Sequence, residues 1–215
     1  MQSGGRRALI GITGPPAAGK TTLMEALARR LRADGYAAAG VPMDGFHLSN
    51  AELAARGLAD RKGEPETFDA RAFVARVREL GSGEPVSWPA YSRVLHEPVA
   101  DAVSVEPSAR VVLVEGNYLL LDDEPWRDLR ALLDEIWFVD ADLGAIERRL
   151  MERHLAGGRS QEEAERHLRE SNLANVRLVL GVRDQADLCV TIDRADPDVR
   201  NLTDPATGKV IVPDA

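Results

Sequence analysis

Cysteine is almost missing. Cys189 stands alone among 215 residues, which excludes an intramolecular disulfide framework and leaves too little sulfur for a Cys-rich zinc site. It lies in Asp187-Leu188-Cys189-Val190-Thr191-Ile192, a strand-like run in which a thiol serves as a small apolar filler. Long apolar runs are missing too. Stretches such as Val111 to Val114 and Ile136 to Val139 are far too short to cross a bilayer, and no apolar signal region precedes the first strand-like segment. These absences predict a soluble, cytoplasmic protein. Net positive charge is also lacking: the formal charge is −8 and the pI near 5.1. That balance argues against broad attraction to nucleic acid or an anionic membrane, so any phosphate must be held by a local site. Finally, lysine is scarce. Of 27 basic residues only Lys20, Lys62 and Lys209 are lysines, so the position of each carries information.

What is present is an alternation of apolar runs and amphipathic segments. Ala8 to Thr13, Ala37 to Pro42, Val111 to Val114, Glu135 to Val139 and Leu188 to Ile192 read as strands. Between them, Thr21 to Ala33, Asp69 to Leu80 and Asp142 to Leu155 repeat apolar residues at helical spacing, and Ser160 with Glu163 has the form of a capping box opening a helix toward Leu180. Strands without polar alternation need cover on both faces, which predicts an α/β fold with a parallel sheet between helix layers. The segment from Gly81 to Arg110, with Trp88-Pro89-Ala90-Tyr91, lacks helical period and is expected to be a functional loop or a small hairpin. A Pro-, Asp- and Thr-containing tail, 195–215, is expected to be only partly ordered.

Directly after the first strand comes Gly14-Pro15-Pro16-Ala17-Ala18-Gly19-Lys20-Thr21-Thr22, which satisfies G-x-x-x-x-G-K-[ST] and opens the first helix. The pattern has a physical basis. Small residues let successive backbone N–H groups wrap phosphates at a helix N-terminus, Lys20 supplies charge for the β/γ-phosphates, and the Thr21 hydroxyl suits Mg²⁺. A nucleotide triphosphate with Mg²⁺ is thus the expected ligand. Switches, motors and kinases all share this turn, and the Asn-Lys-x-Asp segment of guanine-specific switches is absent. Val111 to Val114 ends in Glu115, an acid placed to face the metal. Asp44, in Met43-Asp44-Gly45-Phe46-His47, follows the second strand. An Asp-Gly pair is a turn signal by itself, and Asp44 can be a turn-former, a metal ligand or a base.

These stretches resemble the P-loop small-molecule kinases that group uridine kinase, phosphoribulokinase and type I pantothenate kinase. The likeness runs from Ala8 to Ile192. Besides the Gly14 to Thr21 loop it rests on Met43 to His47, Arg61-Lys62-Gly63-Glu64-Pro65-Glu66-Thr67-Phe68-Asp69, Pro89-Ala90-Tyr91-Ser92-Arg93, Val114 to Tyr118 and the arginine-rich run from Arg148. The Asp-Gly-Phe and Arg-Lys-Gly stretches look most like pantothenate kinase, and the Tyr91 to His96 spacing looks like uridine kinase. The resemblance implies a P-loop NTPase fold with five parallel strands, a helical lid and an acceptor-side insertion. It also implies ATP-dependent transfer to a hydroxyl, with Asp44 beside the acceptor as base. On this reading 1–215 is one kinase domain: core 8–192, acceptor-side insertion 44–110, lid 148–160 and tail.

The lid resemblance assigns Arg153 and Arg159 to the phosphates, with Arg149 as a competitor; a solvated basic helix face with partners such as Glu152 is the plainer reading. The family's Asp after its first lid Arg is His154 here. The acceptor side gathers His47, Tyr91, Arg93 and His96, with Arg93 suited to a carboxylate or phosphate. Trp88 and Tyr91 fit the core equally well. Asn172 and Asn175 match asparagines near the pantothenate kinase acceptor. The implied partner is a small-molecule acceptor, with neither nucleic acid nor membrane, and a homo-oligomer is compatible. A competing class is a regulatory protein that hydrolyses nucleotide without any acceptor.

Overall fold

The computed structural model describes residues 6–192 and 202–203. In chain order they form β1 Ala8–Thr13, α1 Lys20–Ala33, β2 Ala38–Pro42, α2 Asn50–Ala55, α3 Ala70–Leu80, β3 Val86–Ser92, β4 Glu97–Val105, β5 Val111–Glu115, α4 Leu129–Leu132, β6 Glu135–Asp140, α5 Leu143–Ala156, α6 Gln161–His167, α7 Leu173–Leu180, β7 Leu188–Ile192 and β8 Leu202–Thr203. Caps mark the helix starts as the sequence requires. Ser49 and Ser160 each form a capping box with the glutamate three residues on, and Asp69 and Asp142 accept from Ala72 N and Ala145 N.

The main sheet has the order β2-β5-β1-β6-β7-β8. Its first five strands are parallel. The expected five-stranded sheet is therefore present and gains a sixth edge strand, β8, antiparallel to β7 through Thr191 with Thr203 and Ile192 with Leu202. The rest of the 195–215 tail lies outside the described residues. Side chains alternate between two apolar layers. Leu9, Val112 and Val114 join the larger one, with Phe73, Trp88, Tyr118 and Trp126. Ile12, Leu113, Val139 and Val190 join the other, against Leu23 and Met24 of α1. Both faces are covered, which is why the strands read as continuous apolar runs.

Register fixes where chemistry can occur. Pro42 lies opposite Glu115, and Glu115 opposite Ile12, so β2, β5 and β1 end side by side. The chain leaves β1 for β2 on one side of β5 and later returns to β6 on the other side of β1, and such a switch point leaves a crevice beyond the carboxyl ends. Residues 81–110 contain the hairpin β3–β4. The helix expected from Ser160 toward Leu180 is continuous but irregular: Leu168–Asn172 widens into a π turn between α6 and α7.

Candidate active site

The turn between β1 and α1 is held by backbone sterics. Gly14 has φ 142°, and a Cβ there would lie 2.5 Å from Val139 O; Gly19, with φ 115°, caps α1 without any side-chain hydrogen bond. The first N–H groups of a 14-residue helix are therefore left for an anion. Pro15, Pro16 and Ala18 are buried behind the turn, Ala17 sits at φ 62°, and Thr21 and Thr22 are exposed at its mouth. Arg149 Nη1 donates to Ala17 O at 3.0 Å and braces the turn from α5.

Lys20 is buried; its Nζ donates to Pro15 O at 3.0 Å and lies 4.0 Å from Glu115 Oε1. Burial lowers the Lys20 pKa, and the charges of Glu115 and Asp44 oppose that shift. Glu115 is buried as well. Desolvation pushes its carboxyl up to about 7 despite Lys20. Thr21 Oγ1 donates to Glu115 Oε2 at 3.2 Å. A hydroxyl and an under-compensated buried carboxylate, both hard oxygen donors, fit Mg²⁺ carried in on nucleotide phosphates. Among the described residues there is no cluster of three or more His, Cys, Asp or Glu able to hold a metal alone.

Asp44 is exposed in the 3₁₀ turn Met43–Phe46 at the end of β2, and its charge is felt at Lys20, Glu115, His47 and Arg153. The turn reading of Asp-Gly needs a correction in its physics. Gly45 lacks a left-handed φ; what demands glycine is Pro89, whose carbonyl oxygen would lie 2.1 Å from a Cβ. Trp88, fully buried, donates Nε1 to Pro42 O at 2.8 Å, so it is a core residue that pins the approach to Asp44.

The acceptor-side candidates are brought together unequally. His47 Nδ1–H donates to Asp44 O at 2.9 Å, and its ring lies 3.9 Å from Phe68 and 5.0 Å from Tyr91. Desolvation lowers its pKa. Tyr91 is half-buried and also lies beneath Lys62 Nζ, 5.2 Å from the ring centre. Arg93 is exposed on the hairpin turn, with its charge felt at Glu115 and Arg153. His96 joins this group through its backbone: the carbonyl accepts from Asn50 Nδ2 and Lys62 Nζ.

The three arginines after Arg148 have separate places. Arg149 braces the phosphate turn. Arg153, four residues on along the same face of α5, shares the field of Asp44; desolvation lowers its pKa, and Arg93 and Arg159 add to that. Arg159 follows Gly157-Gly158 and donates to His154 Nδ1. His154 is buried and donates Nε2–H to Asn172 Oδ1 at 2.6 Å, with Asn172 presented by the π turn. Asn175 instead donates to Gly63 O at 2.8 Å and accepts from Tyr118 Oη at 2.7 Å. Lys62, His96, Arg153 and Arg159 line one cleft of about 1170 Å³.

The His154 bridge requires the neutral imidazole, since Nδ1 accepts while Nε2–H donates. Burial lowers its pKa, Arg159 and Arg153 lower it further, and the Asn172 bond opposes them. A histidine whose pKa is lower folded than unfolded contributes stability that is present above its unfolded value of 6.5 and lost as pH falls through the folded one. The wild-type advantage in melting temperature over His154→Gln is therefore larger at about pH 8 than at about pH 5.5. An advantage equal at both pH values would contradict the neutral bridge.

Two of these arrangements escaped the sequence: the Asn172–His154–Arg159 chain and the placement of Lys62. Lysine scarcity was the available signal for Lys62, whereas nothing local marks a π turn.

The chain matches the Phosphoribulokinase / Uridine kinase family over residues 9–194. It is 39% identical over 188 residues to the protein YggC of Escherichia coli (strain K12), covering 86% of this chain and 78% of that one. A pantothenate kinase of Limosilactobacillus reuteri is 34% identical over 150 residues, covering 67% of this chain and 48% of its own length. The fold matches a crystal structure of a candidate fructose transport system kinase from Silicibacter sp. TM1040 with a TM-score of 0.82, 40% identity, and coverage of 88% of this chain and 92% of that one.

Proposed function

Because this chain belongs to the Phosphoribulokinase / Uridine kinase family, we propose that it is an ATP-dependent kinase transferring the γ-phosphoryl group to a hydroxyl of a small pantothenate-, nucleoside- or sugar-like metabolite. The observation that carries this reading is Asp44. A carboxylate at the end of β2 shares its field with Lys20, Glu115 and Arg153, beside a helix N-terminus free to take phosphate. A pure nucleotide switch has no use for a base aimed at that point.

In this mechanism the backbone of Gly14 to Thr22 cradles the nucleotide phosphates, and Lys20 bridges toward the β- and γ-groups. Thr21 and Glu115 would hold Mg²⁺, which when bound neutralises charge on the phosphate oxygens. Asp44 orients the acceptor hydroxyl and takes its proton as the new O–P bond forms and the β,γ-bridging O–P bond breaks to leave ADP. Residues 148–160 act as the lid. Arg153 and Arg159 approach the transferred group, whose oxygens suit planar guanidinium forks. Residues 44–110 form the acceptor side, where His47 and Tyr91 wall the hydroxyl-bearing molecule.

The test is ATP consumption with and without pooled alcohols, sugars and nucleosides, read by mass for one member gaining a phosphate. Turnover that depends on one alcohol supports the kinase. Steady hydrolysis unaffected by every member overturns it in favour of a nucleotide-driven regulator.

A further inference from the structure

Arg159 is tied twice to one residue. Its backbone N–H donates to His154 O at 3.2 Å, and its guanidinium donates to His154 Nδ1. A guanidinium is a donor only, so Nδ1 keeps its lone pair and the ring proton sits on Nε2, where it meets Asn172 Oδ1 at 2.6 Å. The two ends of this chain differ in freedom. Asn172 belongs to the π turn; its neighbour Ser171, buried, donates to Glu64 Oε1 at 3.2 Å, and Asn175 donates to Gly63 O at 2.8 Å. That end is fastened to the body of the protein. Arg159 instead follows Gly157-Gly158, with Gly158 at φ 88° and open space where a Cβ would stand, and it is exposed.

The bond between Arg159 and His154 is suited to exchange. Phosphate oxygens are charged and accept both prongs of a guanidinium fork, so they hold it more strongly than one neutral imidazole nitrogen does. The two lid arginines also stand differently. The charge of Arg153 is felt at Lys20 in the phosphate site, while that of Arg159 is felt at Arg153, His154 and His167. The charged groups around the ring come from each side of the cleft. Arg153 precedes it on α5, and His167 of α6 stands edge-on at 5.0 Å between ring centres, with Glu163 and Arg166 on the same helix. Glu170 of the π turn and Asp60 across the cleft face His167. Glu163 is already engaged by the Ser160 cap. After burial, Arg159 is among the causes that lower the pKa of both histidines, so its departure lets either ring take up a proton more easily.

We infer that His154 is a positioning residue for the lid: its neutral imidazole parks Arg159 at the hinge while no nucleotide is bound, and releases the guanidinium to the nucleotide phosphates when one arrives. The inference rests on the kinase reading above and adds the residue that sets its lid arginine. Release leaves Nδ1 open to a proton from solvent, and a protonated ring repels Arg159. Nucleotide binding and protonation of His154 therefore favour one another, so binding tightens as pH falls through the range where the ring titrates.

The test follows the imidazole signals of the four histidines by NMR across pH, each assigned from its own His→Gln variant. The probe is Mg²⁺ with the non-hydrolysable β,γ-methylene analogue of ATP. In the free protein the His154 midpoint lies below 6.5, and it rises when the analogue binds. Arg159→Met raises it with no ligand present, and the analogue then adds little. His154→Gln supplies the second readout, because an amide both accepts and donates and so keeps the bridge without titrating. From about pH 5.5 to about pH 7.5 the affinity for the analogue falls about 3- to 10-fold more in wild type than in His154→Gln, the factor that half a unit to one unit of midpoint shift supplies. Titration of the analogue itself is common to both proteins and cancels. A His154 midpoint unmoved by bound analogue, or moved equally in Arg159→Met, overturns the inference while the kinase reading stands. An analogue that does not bind at all overturns both.

Discussion

Asp44→Asn loses about 10²- to 10⁴-fold in acceptor phosphorylation while ATP affinity stays close to wild type. The substitution keeps the shape of the side chain and removes only its charge and basicity. Asp44 is exposed, and among the described residues its side chain makes no hydrogen bond that supports the turn; the Asp44 group that holds His47 is the backbone carbonyl. Folding should therefore be nearly unaffected, as surface substitutions away from structural contacts usually are. On the proposed reading the nucleotide is held by backbone N–H groups of the turn and by Lys20, which the change does not touch. Loss should consequently fall on kcat rather than on the nucleotide KM, the signature of an interaction made in the transition state. Positioning contributes as well as proton transfer, because Asn can still donate to a hydroxyl but no longer accepts its proton. Single-turnover kinetics with the accepted alcohol checks this. Turnover by Asp44→Asn at the wild-type rate would remove Asp44 from the mechanism and return it to a turn residue.

The parts of this molecule legible in the sequence are those whose cause is local. The strands β1, β2, β5, β6 and β7 announce themselves because both faces are covered, so each is a short run of apolar residues between Gly, Pro and Asp. The phosphate turn is legible for a related reason: its glycines, lysine and threonine act within one stretch of chain. The hairpin was less distinct. β4 is mostly exposed, Pro89 and Pro98 interrupt the pattern, and His96 and Asp101 sit at positive φ, so no alternation develops. β8 has only two residues, too few to carry a period. The π turn at Leu168–Asn172 hides inside a helical pattern, yet it presents Asn172 to His154. Long-range placement was the least legible. Asn50, Lys62 and His96 meet through contacts spanning 12 to 46 residues, and no spacing rule connects them.

The Asp44-Gly45 pair combines both kinds of information, and Gly45→Ala tests the hidden half. The sequence marks a turn, but the backbone of Gly45 is open to any residue and the constraint comes from the hairpin packed against it. A Cβ would lie 2.1 Å from Pro89 O, 2.4 Å from Pro89 C and 2.8 Å from Ala90 N, all backbone atoms that cannot swing aside. Relief requires the turn or the hairpin to retreat by about 1 Å. Neither is free to do so. Phe46 packs edge-on against Phe73 and Trp88, at 5.2 and 5.1 Å between ring centres, and Trp88 is bonded to Pro42 O. Overpacking of this kind costs about 1–3 kcal/mol, a melting point lower by about 2–12 °C for a chain of this size. A shift of about 1 Å in a catalytic group costs roughly 10²-fold in rate. The phosphate turn does not touch this contact, so ATP binding by the folded variant should persist. Gly81→Ala is the control: its backbone is helical and a Cβ there meets only Arg78 O at 3.4 Å, so both stability and transfer should stay near wild type. If Gly45→Ala melts and turns over like Gly81→Ala, the hairpin does not aim Asp44. If it loses transfer along with melting temperature but still binds nucleotide, the glycine serves the hairpin contact that holds the carboxylate in place.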